Sequence, residues 1–139
     1  METNTLFPVK VAKEIATKEV TDWLDYKRIK EPRREVLKAN IDTLIEACMY
    51  GEIEFSDNAI TQNLNFPIYN DDGTLFRNKL KYKTTITVKE IQTSIEKNTL
   101  MVQAYASALT GLPGEVVGKL DASTDYNVLN SIVVFFTPS

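Results

Sequence analysis

Histidine is absent from this 139-residue chain, and cysteine occurs once, as Cys48. Those two scarcities remove most of the side chains from which metal sites, proton shuttles and nucleophilic dyads are assembled. No catalytic residue, metal site or cofactor is therefore expected, and an enzyme is the least favoured class. A lone cysteine cannot form an internal disulfide, which fits a reducing compartment. Positive charge is not in excess either: 16 Lys and Arg stand against 19 Asp and Glu, a net charge of −3. The molecule as a whole thus has no long-range attraction for a polyanion, and nucleic acid is not the expected partner. Long apolar runs are missing too. The longest, residues 132–136, is far too short to span a bilayer, and residues 1–10 lack the basic and apolar regions of an export signal. The chain is expected to be cytosolic, without a membrane anchor.

What is present reads as an ordinary globular chain, 43% hydrophobic and 25% charged, of a length that suits one domain over residues 1–139. No internal repeat or low-complexity stretch interrupts it. Val11, Ile15, Val20, Trp23 and Leu24, with Ala12 and Ala16, recur at the spacing of an amphipathic helix, whose solvent face takes Lys13, Glu14, Lys18, Glu19 and Asp22. A second helix is predicted from Pro32 in its first turn, through Leu37, Ile41, Leu44, Ile45 and Cys48, to a stop at Gly51. These two helices make an N-terminal part, residues 1–51.

The period then changes from 3.6 to 2, which marks a β-meander over residues 52–86. Ile53 and Phe55 alternate with Glu52 and Glu54, and Ser56-Asp57-Asn58 supplies turn chemistry. Ile60, Gln62, Leu64, Phe66 and Ile68 share one face of the next strand, with Pro67 expected near a strand end or facing outward. Asn70-Asp71-Asp72-Gly73 is a second turn, and Leu80, Tyr82, Thr84 and Ile86 alternate with Lys79, Lys81, Lys83 and Thr85 in a third strand.

Residues 87–139 read as a bundle of three or four short helices. Thr87 and Glu90 form a capping box ahead of Val88, Ile91 and Ile95, and Asn98 ends that helix. Residues 100–109 form a compact helix whose Ala104, Ala106, Ser107 and Ala108 allow close approach of a neighbour. Gly111 and Pro113 stop it and start a weak helix containing Gly114 and Gly118. Asp121 or Ser123 caps a last helix with Tyr126, Leu129, Ile132, Val133 and Phe136 inward, ended by Pro138. The fold class is α+β: two N-terminal helices, a three-stranded antiparallel meander and a C-terminal helical bundle.

Candidate sites each have a plain structural reading beside the functional one. Lys27, Arg28, Lys30, Arg33 and Arg34 form the densest basic stretch, between two helices, as a phosphate-contacting turn of a winged-helix-like nucleic-acid binder would. Acidic neighbours Asp22, Asp25, Glu31 and Glu35 dilute it, and a solvated loop is the plainer reading. Lys79, Lys81 and Lys83 make a basic stripe, though lysines also guard exposed strands against aggregation. Asp71-Asp72-Gly73 lacks the bidentate Glu of a calcium loop and reads as a turn. Asp121 and Asp125 suit cap and dipole roles better than an acid/base pair. Cys48 and Trp23 read as core.

Ala108-Leu109-Thr110-Gly111-Leu112-Pro113, then Val116, Leu120-Asp121, Asp125-Tyr126 and Val133-Val134-Phe135-Phe136, resemble the ending of the tail assembly chaperones of tailed bacteriophages. In that family an LTGLP break, a KLD cap and a DY helix start precede an apolar terminal helix. Phe66-Pro67-Ile68 and the Leu80, Tyr82 strand running into Thr87 resemble the segment that leads into it. The resemblance covers residues 64–136, about half of the chain. The first 60 or so residues have no counterpart in it, and Lys79, Lys81 and Lys83 stand where an arginine followed by proline is common.

The resemblance implies a non-enzymatic protein that acts in the host cytoplasm during virion assembly. Its partners would be the tape measure protein and the tail tube subunits recruited around it, and oligomerisation is open. Such work requires exchangeable apolar contacts with a helical partner. Leu112, Val116, Val117 and Leu120, in the glycine-containing break, are the expected contact residues, with a plain helix connector as the alternative reading. A structural or connector component of the virion is the alternative function.

Overall fold

The computed structural model describes residues 7–98 and 100–138. Residues 1–6, part of the stretch read above for an export signal, lie outside them. Among the described residues the elements run α1 (Lys13–Tyr26), α2 (Glu31–Val36), α3 (Lys38–Met49), β1 (Ile53–Ser56), β2 (Ala59–Tyr69), β3 (Leu75–Lys81), α4 (Val88–Lys97), α5 (Met101–Thr110), α6 (Gly114–Val117) and α7 (Asp125–Val133), followed by a 3-10 turn (Val134–Phe136). The fold is α+β, with helices before and after a three-stranded antiparallel sheet of order β1-β2-β3.

Helix α1 buries Ala16, Val20, Trp23 and Leu24, a stripe at i, i+4, i+7 and i+8. Ile15, expected on that face, is exposed, because it projects about 100° from Ala16, on the side away from Val20 and Leu24. Two helices stand where one was expected, with a break at Leu37 (φ −100°, ψ 21°). Neither glycine nor proline lies at the break. The offset carries α2 toward the C-terminal segment, where Arg33 makes its contacts.

Gly51 (φ +75°) ends α3 as expected: its N–H donates to Cys48 O, and the Glu52 N–H to Ala47 O, which closes a left-handed C-cap. Arg28 (φ 60°) makes the same closure after α1, with bonds to Asp25 and from Ile29 to Leu24. Asp57 and Asn58, both at positive φ, form a two-residue turn matched to the twist of the β1–β2 hairpin.

Strand β2 buries Ile60, Gln62, Leu64 and Ile68, but Phe66 is 57% exposed. The register slips between the Asn63 and Ile68 pairs with β3, so the alternation that places even positions inward is interrupted at Phe66. Strand β3 also differs from expectation: it begins earlier, at Leu75, and ends at Lys81. Beyond it, Tyr82 N–H still bonds Ile60 O, but Lys83 N–H bonds Leu109 O at the end of α5. The chain has left the ladder for a helix end before Thr84 and Ile86.

One continuous hydrophobic cluster joins Trp23, Leu44, Ile53, Leu80, Leu109, Leu129 and Phe135 across all three parts of the chain. Trp23 stacks edge-on against Phe135 with centroids 5.6 Å apart. Helix α7 lies against α3, α5 and β2, and it carries a charged group into this interior. Asp125, fully buried, accepts the N–H of Asn65 at 2.8 Å and of Phe66 at 2.9 Å. Its own carbonyl accepts from Gln62 Nε2, and Gln62 Oε1 accepts from the Tyr82 hydroxyl at 2.7 Å. Burial, then the nearby Asp125 charge, push the Tyr82 phenol well above its ordinary value. The role of Asp125 is therefore not cap or dipole partner alone: it supplies the acceptors that the slipped register of β2 leaves without a strand partner. In Asp125→Asn one acceptor becomes a donor facing a donor, and we expect a loss of about 3 kcal/mol. Urea unfolding should show a lower midpoint with an unchanged m value.

Candidate functional site

The expected contact residues Leu112, Val116, Val117 and Leu120 are all buried, none more than 8% exposed. The expectation that this segment presents them to a partner is corrected. Gly111 (φ +78°) ends α5 by a single bond from its N–H to Ser107 O, and the turn folds α6 back onto α5. Both backbone groups of Leu112 are then held: its carbonyl accepts from Ser107 Oγ and its N–H donates to Thr110 Oγ1. The two glycines that read as loosening α6 serve close approach instead. A Cβ at Gly114 would collide with Asn98 Oδ1, and one at Gly118 would lie 3.2 Å from Gln103 Nε2. The plain connector is what the structure shows in this packing.

The basic stretch is divided among structural tasks. Arg33 Nη2 donates to the carbonyls of Val134 at 2.8 Å and Thr137 at 3.1 Å. Arg34 bonds Ile29 O through Nε and pairs with Asp25 through Nη2 at 2.7 Å. Lys27 Nζ sits 3.7 Å from the centroid of the Phe136 ring, and burial lowers its pKa. Arg28 and Lys30 are the exposed cations of the cluster. The five side chains do not all face one surface for a phosphate: Arg33 and Lys27 tie the C-terminal segment to the N-terminal helices, and Arg34 is held within the N-terminal part. Arg28, Lys30 and Arg33 share a groove of about 720 Å³ whose apolar wall is Ile29, Pro32, Val36, Phe135 and Pro138.

The remaining candidates resolve locally. Asp72 Oδ1 accepts from the Thr74 N–H and hydroxyl, which holds its carboxyl below the usual carboxylate range. Asp121 does the same for Thr124 and Ser123 ahead of α7. Among the described residues no group of three or more Cys, Asp or Glu gathers where it could hold a metal ion. Cys48 is buried, with Sγ 3.2 Å from Glu19 Oε2. Burial, then the hydrogen bond to Glu19, push its thiol up to about 12, so it is an inert core residue.

Apolar surface left uncovered lies elsewhere. Helix α4 is opened by the expected capping box, with Glu90 N–H on Thr87 Oγ1 and Thr87 N–H on Glu90 Oε1. The hydrogen bond from Lys83, then those from Thr87, lower the pKa of the Glu90 carboxyl. The side chain it buries is Ser94, whose hydroxyl donates to Ala104 O. Ser94 meets the small Ala104 of α5, which is how α4 approaches closely. Its apolar positions Val88 and Ile95 are 74% and 40% exposed, and Leu100 and Met101 just beyond are 57% and 56% exposed. Ile91 alone packs partly on the core. The amphipathic spacing that signalled the helix is thus the signal of this surface as well, but nothing in the sequence says that its apolar side stays outward.

The class these observations define is an α+β domain with a hydrophobic core and exposed apolar side chains on and beside α4. No protein-family model, curated protein or solved structure matches the chain. No helix is long and apolar enough to cross a membrane among the described residues.

Two outcomes follow from the buried groups. Arg33→Ala should free the C-terminal segment, with amide exchange at Thr137 accelerated at least tenfold and a stability loss of about 2 kcal/mol. For Cys48, the unfolded thiol ionises near 9 and the folded one near 12. Between those values the unfolded chain has released its proton and the folded chain has not, so rising pH favours unfolding. Wild type should lose stability from pH 9 to 11 more steeply than Cys48→Ala, by about 1 kcal/mol per pH unit at the limit. Urea unfolding at each pH measures the slope.

Proposed function

We propose that this protein is a non-enzymatic assembly factor, a bacteriophage tail assembly chaperone that binds the tape measure protein and helps recruit tail tube subunits in the host cytoplasm. The observation that carries the reading is the uncovered stripe of Val88, Ile95, Leu100 and Met101 on and beside α4. It lies within residues 64–136, where the sequence resembles that family, whereas the groove beside α2 depends on N-terminal helices that have no counterpart there. An apolar stripe at helical spacing is suited to pairing with a helix of a long apolar partner, and its modest size suits exchange rather than permanent assembly. The contact is therefore moved from α6 to α4.

Co-expression with the tape measure protein of its own phage should keep that protein soluble. Val88→Asp with Ile95→Asp should abolish the effect while the thermal midpoint stays within a few degrees of wild type, since neither side chain belongs to the hydrophobic core cluster. Equal solubility with and without the chain would overturn the reading. Stoichiometric presence in purified particles would instead favour a structural component of the virion.

A further inference from the structure

We propose that the open edge of β3 is a strand-addition site for an extended, acidic segment of a partner protein. The sheet order leaves β3 with one neighbour, β2. Backbone groups alternate in direction along an antiparallel strand. Tyr82 N–H donates to Ile60 O on β2, so residues 80 and 82 turn their backbone groups inward, and residues 79, 81 and 83 turn theirs away from the sheet. At Lys83 the outward N–H is met by Leu109 O at 2.9 Å. No backbone partner outside the sheet meets Lys79 or Lys81 among the described residues. Those two residues instead line a groove of about 440 Å³, whose near wall is β3 from Leu75 to Lys81 and whose far wall is Thr110 and Leu112. The buried break between α5 and α6 therefore has a place here: it forms the bank of a channel along an unpaired strand.

Charge selects the occupant. Arg77, Lys79 and Lys81 project from one side of β3, are exposed, and meet no carboxylate within ion-pair distance among the described residues. Across the sheet, Lys81 lies in one row with Thr61 and Glu54, so the sheet runs from acid at β1 to base at β3. A strand added beside β3 with Asp or Glu at alternate positions continues that row with opposite charge as neighbour. A second copy of the same strand would set lysines beside lysines and arginine, which is unfavourable for cross-strand pairs. The same lysines that keep the edge from pairing with itself thus admit an acidic strand, in the manner of β-strand addition. This site is separate from the α4 stripe and does not depend on the function proposed for it.

The test uses the full chain and an end-blocked eight-residue peptide with Glu at alternate positions and Val or Thr between. At saturating peptide, amide exchange at Lys79 and Lys81 should slow at least tenfold. N-methylation of the alternate peptide amides that face β3 should weaken binding at least tenfold, and methylation of the other set should not. Lys79→Glu with Lys81→Glu, at exposed positions, should reverse the preference toward a peptide with Lys in place of Glu. Equal binding after methylation in both registers, or protection of α4 in place of Lys79 and Lys81, would overturn the proposal. So would a dimer of the chain alone that protects those two amides, since the edge would then belong to a second copy.

Discussion

A buried carboxylate on α7 holds the two halves of this fold to each other. Asp125 accepts the N–H groups of Asn65 and Phe66, and its carbonyl takes Gln62, which in turn takes the Tyr82 hydroxyl. A charge buried without partners would be costly; here both oxygens are engaged by strand donors. The arrangement fixes α7 against β2, and α7 is also the helix on which α3 and α5 rest. The slip in the β2–β3 register is tolerated because those N–H groups have somewhere to go. Phe66, in turn, is left outward by the same slip.

From that junction the distribution of surfaces follows. With α5 and α6 closed over the core, Leu109 and Leu112 of the LTGLP break are packed inside while Gly111 and Pro113 stay at the surface. Lys83 is drawn to the end of α5, which ends β3 and leaves its outer side beside Thr110 and Leu112. Helix α4 is held by Ser94 against Ala104 and by its capping box, so little of its apolar stripe is used in folding. The N-terminal helices are fastened to the chain's other end by Arg33 and Lys27, which spends the basic stretch on structure.

Much of this was legible from residue pattern. Gly51, Gly111, the Asp57-Asn58 turn and the Thr87–Glu90 box act through neighbours a few positions away, so a local reading locates them. The α+β class followed from the change of period between Cys48 and Ile53. Other features depend on partners in other elements, as far off as the opposite end of the chain. Nothing near Leu37 announces a break, nor that Arg33 on the short helix before it reaches Val134 and Thr137. Nothing near Gln62 or Asp125 says that they meet. Nothing near Thr84 and Ile86 says that the sheet ends before them, where Lys83 N–H is held by Leu109 O of α5. Gly114 and Gly118 looked like weakness for want of knowing that Asn98 and Gln103 press against them.

The residue pattern by itself determined the elements, their caps and turns, and the scarcity of groups for chemistry, since each of those is settled within one turn of helix or one hairpin. Tertiary structure alone decided which apolar faces are spent on the core and which remain outside. Val116 and Val88 are alike in kind and both sit on short helices, yet one is covered and the other is not. Burial is a property of what packs opposite a residue: α5 packs against both helices, and α4 turns Ser94 toward it and leaves Val88 outward.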